Sequence, residues 1–200
     1  MKVSILMPLC LLLVLSGCTT LLKPVPPNPR TGLFPAFKNS HGVPISARIV
    51  VSKKTDLSRY HDNLLVTAGS FWVHEVRYIG VFRHVFNASQ LRKEIIRAGL
   101  QQRLHKVTGL LALNKIYRDF KPFLWLHIKI GDNSAGHTYF DLVVTDPKSA
   151  QNLFVARRIL PHMQAAVSDQ SLFYPMMNAF VKWIHQDQGI SVKVQPPAKR

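Results

Sequence analysis

Cysteine is nearly missing from this chain: Cys10 and Cys18 are the only two among 200 residues, and both stand close to the start. That excludes a disulfide-stapled domain and a thiolate zinc site, so stability has to come from packing. Acidic side chains are also scarce, with 10 Asp and Glu against 26 Lys and Arg. Repeats with a period of about 20–50 residues are absent, which excludes solenoids and propellers. A phosphate-cradling glycine loop and a dinucleotide fingerprint are likewise missing. The nine histidines are scattered at 41, 61, 74, 84, 105, 127, 137, 162 and 185, with no pair four residues apart to hold a metal from one helix. The sequence therefore implies no metal and no cofactor.

The chain does have apolar mass. Hydrophobic residues make up 47%, with 11 Phe, 5 Tyr and 3 Trp, which excludes a disordered chain and supplies one packed core.

Residues 1–17 read as an export signal: Lys2 precedes an apolar run over 3–14, and Leu15, Ser16 and Gly17 lead to Cys18. About 15 apolar residues at roughly 1.5 Å each span only about 22 Å of a hydrocarbon layer near 30 Å thick, too short to cross it. The run Leu15-Ser16-Gly17-Cys18 resembles the lipobox of bacterial lipoprotein precursors. That resemblance implies cleavage before Cys18, acyl chains on its sulfur and its new amino group, and a membrane partner reached through them. Two or more chains, at about 0.8 kcal/mol per buried methylene, hold a protein durably where one does not. Residue 19 is Thr. In double-membraned bacteria the resemblance reads an aspartate there as an inner-membrane retention signal, so it implies the periplasmic face of the outer membrane.

After the anchor, residues 18–44 hold Pro24, Pro26, Pro27, Pro29, Pro35 and Pro44 and read as a tether. Some 26 polyproline-like residues at about 3.1 Å each would reach roughly 80 Å. Residues 45–188 read as one α+β domain with a mixed or antiparallel sheet of about five strands and helices mainly on one face. The order of elements is loosely similar to that of small accessory lipoproteins of bacterial envelopes. Residues 189–200 read as a basic, loosely held tail.

Within the domain, strands are expected over 45–53, 63–68, 122–130, 137–145 and 153–160. The firmest strand reading is 71–82, with Trp72, His74, Val76, Tyr78 and Phe82 inward and Glu75 and Arg77 outward. Asn87 with Gln90 predicts a capped helix, on one face of which Leu91, Ile95, Leu100, Leu104 and Val107 gather. A second short helix follows over 110–120. A last amphipathic one covers 172–185 with a buried stripe of Leu172, Met176, Ala179, Phe180 and Trp183, starting near Tyr174 or bending there because of Pro175.

The run 131–136 marks a hairpin. Its register carries a condition: Leu124, Leu126, Ile128 and Ile130 share a face with Phe140, Leu142 and Val144 only if the loop is odd in length or bulged. With five loop residues, Trp125 would face Asp141 and His127 would face Tyr139.

Two surfaces are candidates for recognition. One is basic: Arg92, Lys93, Arg97, Arg103 and Lys106 on the polar face of the capped helix, offset only by Glu94. The other is the aromatic second face of the hairpin, Phe123, Trp125, His127 and Tyr139. Without Lys2, 25 Lys and Arg stand against 10 acids, an excess of 15 that favours anionic partners. Export argues against nucleic acid, leaving anionic lipid or an envelope protein partner. The sequence thus points to a non-catalytic accessory lipoprotein of the envelope. The competing reading is a periplasmic hydrolase using His127 and Asp141, although Ser134 in Gly131-x-x-Ser134-x-Gly136 is not a nucleophile elbow.

Overall fold

The computed structural model describes residues 25–160 and 169–188. The leader, Cys10, Cys18, the first part of the tether and the 189–200 tail lie outside the described residues. The elements are β1 (Arg48–Ser52), a 3-10 turn (Leu57–Tyr60), β2 (Asn63–Val66), α1 (Ser70–Ile79), β3 (His84–Phe86), α2 (Ala88–Arg97), α3 (Leu110–Asp119), β4 (Leu124–Asp132), β5 (Thr138–Asp146), β6 (Gln151–Leu160) and α4 (Asp169–Gln188). The six strands form one mixed sheet in the order β1-β6-β5-β4-β2-β3. Strand β2 runs parallel to both β3 and β4, and the remaining pairs are antiparallel. The α+β class stands, with six strands.

The region 71–82 is not a strand. Residues 70–79 form α1, which buries Trp72, Val73, Glu75, Val76 and Ile79. The aromatic and β-branched composition favours a strand, but the apolar spacing of three and four is helical. Gly69 and Gly80 bracket the ten residues at φ 102° and 72°, and the Gly80 N–H closes onto the Arg77 carbonyl. Topology agrees, because parallel neighbours need a crossover, which is usually helical, and the helix over 70–79 carries the chain from β2 to β3. The additional edge strand β3 follows it.

Helices cover both faces of the sheet, not mainly one. From β2 the chain steps one way to β3 and then back past β2 to β4. Right-handed crossovers in opposite directions place their helices on opposite faces. Accordingly α1 and α4 pack on the face of Leu64, Val66, Leu124, Leu126, Leu142 and Val144. Leu91, Ile95, Leu113 and Ile116 of α2 and α3 pack with Leu65, Phe86 and Phe123 on the other.

The hairpin meets the register condition. Leu126 pairs with Val144, Ile128 with Leu142 and Ile130 with Phe140, so the two apolar sets share a face. The loop is three residues between Asn133, whose N–H donates to the His137 carbonyl, and His137 itself. Being shorter than five residues, it shifts the partners: Trp125 faces Thr145 and His127 faces Val143.

Asn87 and Gln90 form the expected capping box, each side chain accepting from the other's backbone N–H. The helix stops at Arg97, since Gly99 at φ 70° turns the chain, so Arg103 and Lys106 lie beyond it. Leu104 and Val107 nevertheless fold back into the same cluster. Helix α4 begins six residues before Pro175, earlier than expected, and buries far more than one stripe, including Tyr174, Met177, Val181 and Ile184.

Part of that burial comes from the proline-rich segment. Residues 25–37 do not dangle as a tether; they strap across α1 and α4. The Val25 N–H donates to Glu75 Oε1 (3.2 Å) and to the Tyr174 hydroxyl (3.1 Å). Asn178 of α4 brackets Phe34, accepting from its N–H at 2.7 Å and donating to its carbonyl at 3.1 Å. The Phe34 ring stacks on Tyr174 at 5.1 Å. Proline content marks extended backbone here, and apolar Val25, Leu33, Phe34 and Phe37 give it something to bury. Among the described residues no helix is long and apolar enough to cross a membrane.

Candidate functional site: a basic cleft beside the edge strand

The basic residues singled out in the sequence do not act as one surface. Lys93 and Arg97, one turn apart on α2, line a cleft of about 510 Å³ with Gln90 and Glu94 of the same helix, Arg77 of α1, and Phe82–Phe86 around β3. Arg92 is exposed but does not line it. Arg103 reaches Asp119 at 3.3 Å, and Lys106 is exposed beyond the helix end. Three further basic residues come to the cleft from outside the helix: Arg77, Arg83 and His84. Arg77 is exposed, as expected, but a strand over 71–82 gave no reason to bring it beside Val85, whereas the helix aims it at the edge strand.

Arg77 is fixed in place, its guanidinium donating to the Val85 carbonyl at 2.9 Å on the edge strand. Arg83 pairs with Asp62 at 3.2 Å, but it is 83% exposed and gains little from the pair. Among the described residues Glu94 is the one carboxylate lining the cleft. Its charge is answered from another element by Lys121, whose ammonium lies 4.2 Å from the Phe86 ring centre. Neither Lys93 nor Arg97 has an acidic partner among the described residues.

The aromatic face of the hairpin is largely covered. Phe123 is fully buried under α2 and α3. Trp125 is half-buried, its indole N–H donating to Thr67 Oγ1 at 2.8 Å, and its ring stacks on His127 at 4.0 Å. Burial, and to a lesser degree Lys129, hold the His127 imidazole down to about 4. Thr145 bonds both His127 Nε2 (3.2 Å) and Asn152 (3.0 Å). Tyr139 lies at the far end, opposite Gly131, with the Arg157 guanidinium 3.9 Å from its ring centre.

His127 and Asp141 do not bond each other. Both Asp141 oxygens accept from Arg157 at 2.7 Å, and Ser134 is exposed at the hairpin tip. Among the described residues no three His, Cys, Asp or Glu side chains gather as metal ligands would.

A second polar group went unread in the sequence. Glu75, expected in solvent, is fully buried. Its Oε1 accepts from Tyr174 and Val25, while Oε2 has no partner among the described residues. Burial raises its carboxyl to about 7, against the lowering effect of those two donors. The helical spacing Trp72, Glu75, Val76, Ile79 is the signal that would have placed it inward.

No protein-family model matches the chain, and comparison with curated proteins finds no significant match. Among solved structures, the lipoprotein GNA1162 from Neisseria meningitidis is 13% identical and aligns over 62% of this chain and 97% of its own, with a TM-score of 0.33. A likeness that slight carries no argument about this chain.

Proposed function

We propose that this chain is an accessory lipoprotein of the bacterial envelope: acylated on Cys18, non-catalytic, and docking an anionic envelope component or protein complex through the basic side of its domain. The observation that carries this reading is where packing begins. Val25 is already bonded into the domain, seven residues after Cys18. A chain spans at most about 3.6 Å per residue, so the domain sits within roughly 25 Å of the anchor while the strap is docked. A tether free to residue 44 would reach about three times as far.

Acyl chains and a basic domain then act together. The lipid supplies location, and the formal excess of 15 positive charges left once Lys2 goes with the leader attracts anionic groups close to the surface. The arrangement suits docking at the membrane better than bridging across a gap.

Growth of producing cells with labelled palmitate tests the reading. Label should appear on the wild-type chain, and Cys18→Ala should lose both label and membrane fractionation. An unlabelled wild-type protein, or a Cys18→Ala variant that fractionates unchanged, overturns it.

A further inference from the structure

We infer that the cleft between α1, β3 and α2 binds a phosphate group, held by Lys93, Arg97 and Arg77. This rests on the docking reading for its place in the envelope, and it specifies what the anionic partner presents. The binding chemistry itself does not depend on acylation of Cys18.

Three observations lead there. Like charges four residues apart on a helix repel, so Lys93 and Arg97 side by side cost stability unless an anion answers them. Among the described residues the only carboxylate in the lining that could do so, Glu94, is drawn off by Lys121. From α1, on the other side of the edge strand, Arg77 also lines the cleft, and its bond to the Val85 carbonyl through one terminal nitrogen orients its planar cation there.

A phosphate suits this set better than a carboxylate. It carries up to two charges and three strong acceptor oxygens, enough for cations arriving from two helices at once, whereas a single carboxylate is satisfied by one bidentate arginine. At about 510 Å³ the cleft has room for a phosphate ester and not merely the ion. The ester could be a lipid headgroup or a free phosphorylated molecule, and the chemistry that recognises both is the same.

The test is titration calorimetry on the full chain in non-ionic detergent, with inorganic phosphate, glycerol 3-phosphate and acetate as probes. Saturable phosphate binding is expected, weakened at least ten-fold by Lys93→Glu with Arg97→Glu. The reversal of two exposed residues of α3, Lys115→Glu with Arg118→Glu, changes the net charge equally and should leave affinity within about two-fold. Circular dichroism confirms that each variant is folded. Tighter binding of glycerol 3-phosphate than of phosphate supports a lipid headgroup as the source; equal binding supports a free phosphate. Absence of saturable binding, acetate binding as tightly as phosphate, or equal loss from the α3 reversal overturns the proposal. A positive titration with an unlabelled chain in the palmitate experiment would overturn the anchor and keep the cleft.

Discussion

Glu75 of α1 and Tyr174 of α4 meet in the interior, the tyrosine hydroxyl donating to Glu75 Oε1 at 2.9 Å with both side chains fully buried. The Val25 N–H joins them, so one buried carboxyl fastens two helices and the proline-rich strap.

That carboxyl should make stability fall as pH rises. The folded chain keeps the Glu75 proton up to about pH 7, while the unfolded chain releases it near 4.5. The native state therefore binds the extra proton between those values, and up to about 3 kcal/mol is lost across the window. Glu75→Gln mimics the protonated acid and should flatten this slope, gaining on the wild type toward pH 7. Urea denaturation at a series of pH values checks it; an unchanged slope contradicts the assignment.

His127 should act in the opposite sense. Its folded value of about 4 lies below the ordinary 6.5, so the unfolded chain takes up a proton first as pH falls. Stability contributed by the neutral ring is present above pH 6.5 and is lost on acidification toward pH 4. Titration of the ring by proton NMR should show it still neutral at about pH 5.5; a midpoint near 6.5 contradicts this.

Asn178→Ala should loosen the strap without unfolding the domain. It removes both bonds to the Phe34 backbone, leaving a buried N–H and carbonyl without partners, at a cost of about 1–3 kcal/mol. Hydrogen exchange of the Phe34 amide should speed up and limited proteolysis should shift into residues 25–37. Unchanged exchange there would mean that packing alone seats the strap.

Gly131→Ala should destabilise the hairpin. Gly131 sits directly opposite Tyr139, and an added Cβ would lie 2.5 Å from the tyrosine hydroxyl oxygen and 2.7 Å from ring carbon Cζ. Tyr139 is half-buried and meets that Cβ with the far end of its ring, so the ring swings aside at the expense of its contact with Arg157, 3.9 Å from its centre, and the cost stays near the low end of overpacking, about 1 kcal/mol. Tyr139→Ala placed in the same chain should recover part of the loss, as thermal unfolding would show.

Asp141→Ala should cost more than removing the pair. Asp141 is 3% exposed and both its oxygens bond Arg157, so the alanine strands a half-buried guanidinium. A loss of about 2–3 kcal/mol is expected, somewhat below the range for fully buried pairs because Arg157 keeps some water. Asp141→Leu with Arg157→Leu should be milder, and a larger loss from the double change than from Asp141→Ala would contradict this account.

Signals confined to a few neighbouring residues were legible in the chain itself. Asn87 and Gln90 specify their capping box three positions apart, and the alternation of 124–130 against 140–144 calls for an odd or bulged hairpin loop, which the three-residue loop satisfies. The same alternation could not set the loop length, because three and five residues both keep the apolar sets together. The α+β class was legible from the order of such segments.

What lay beyond reach was decided by partners far along the chain. Residues 70–79 have strand-like composition and form the helix that carries the crossover between parallel β2 and β3. Residues 25–37 look like a linker until Tyr174 and Asn178, about 145 positions away, offer a ring and an amide to bind. The cleft gathers Arg77, Lys93 and Arg97 from two helices on opposite faces of the sheet, which meet only around the edge strand β3, an arrangement the sequence had no means of showing. Periodicity and capping are written in adjacent residues, whereas desolvation and charge neighbourhood depend on which surfaces meet, and only the folded chain contains that information.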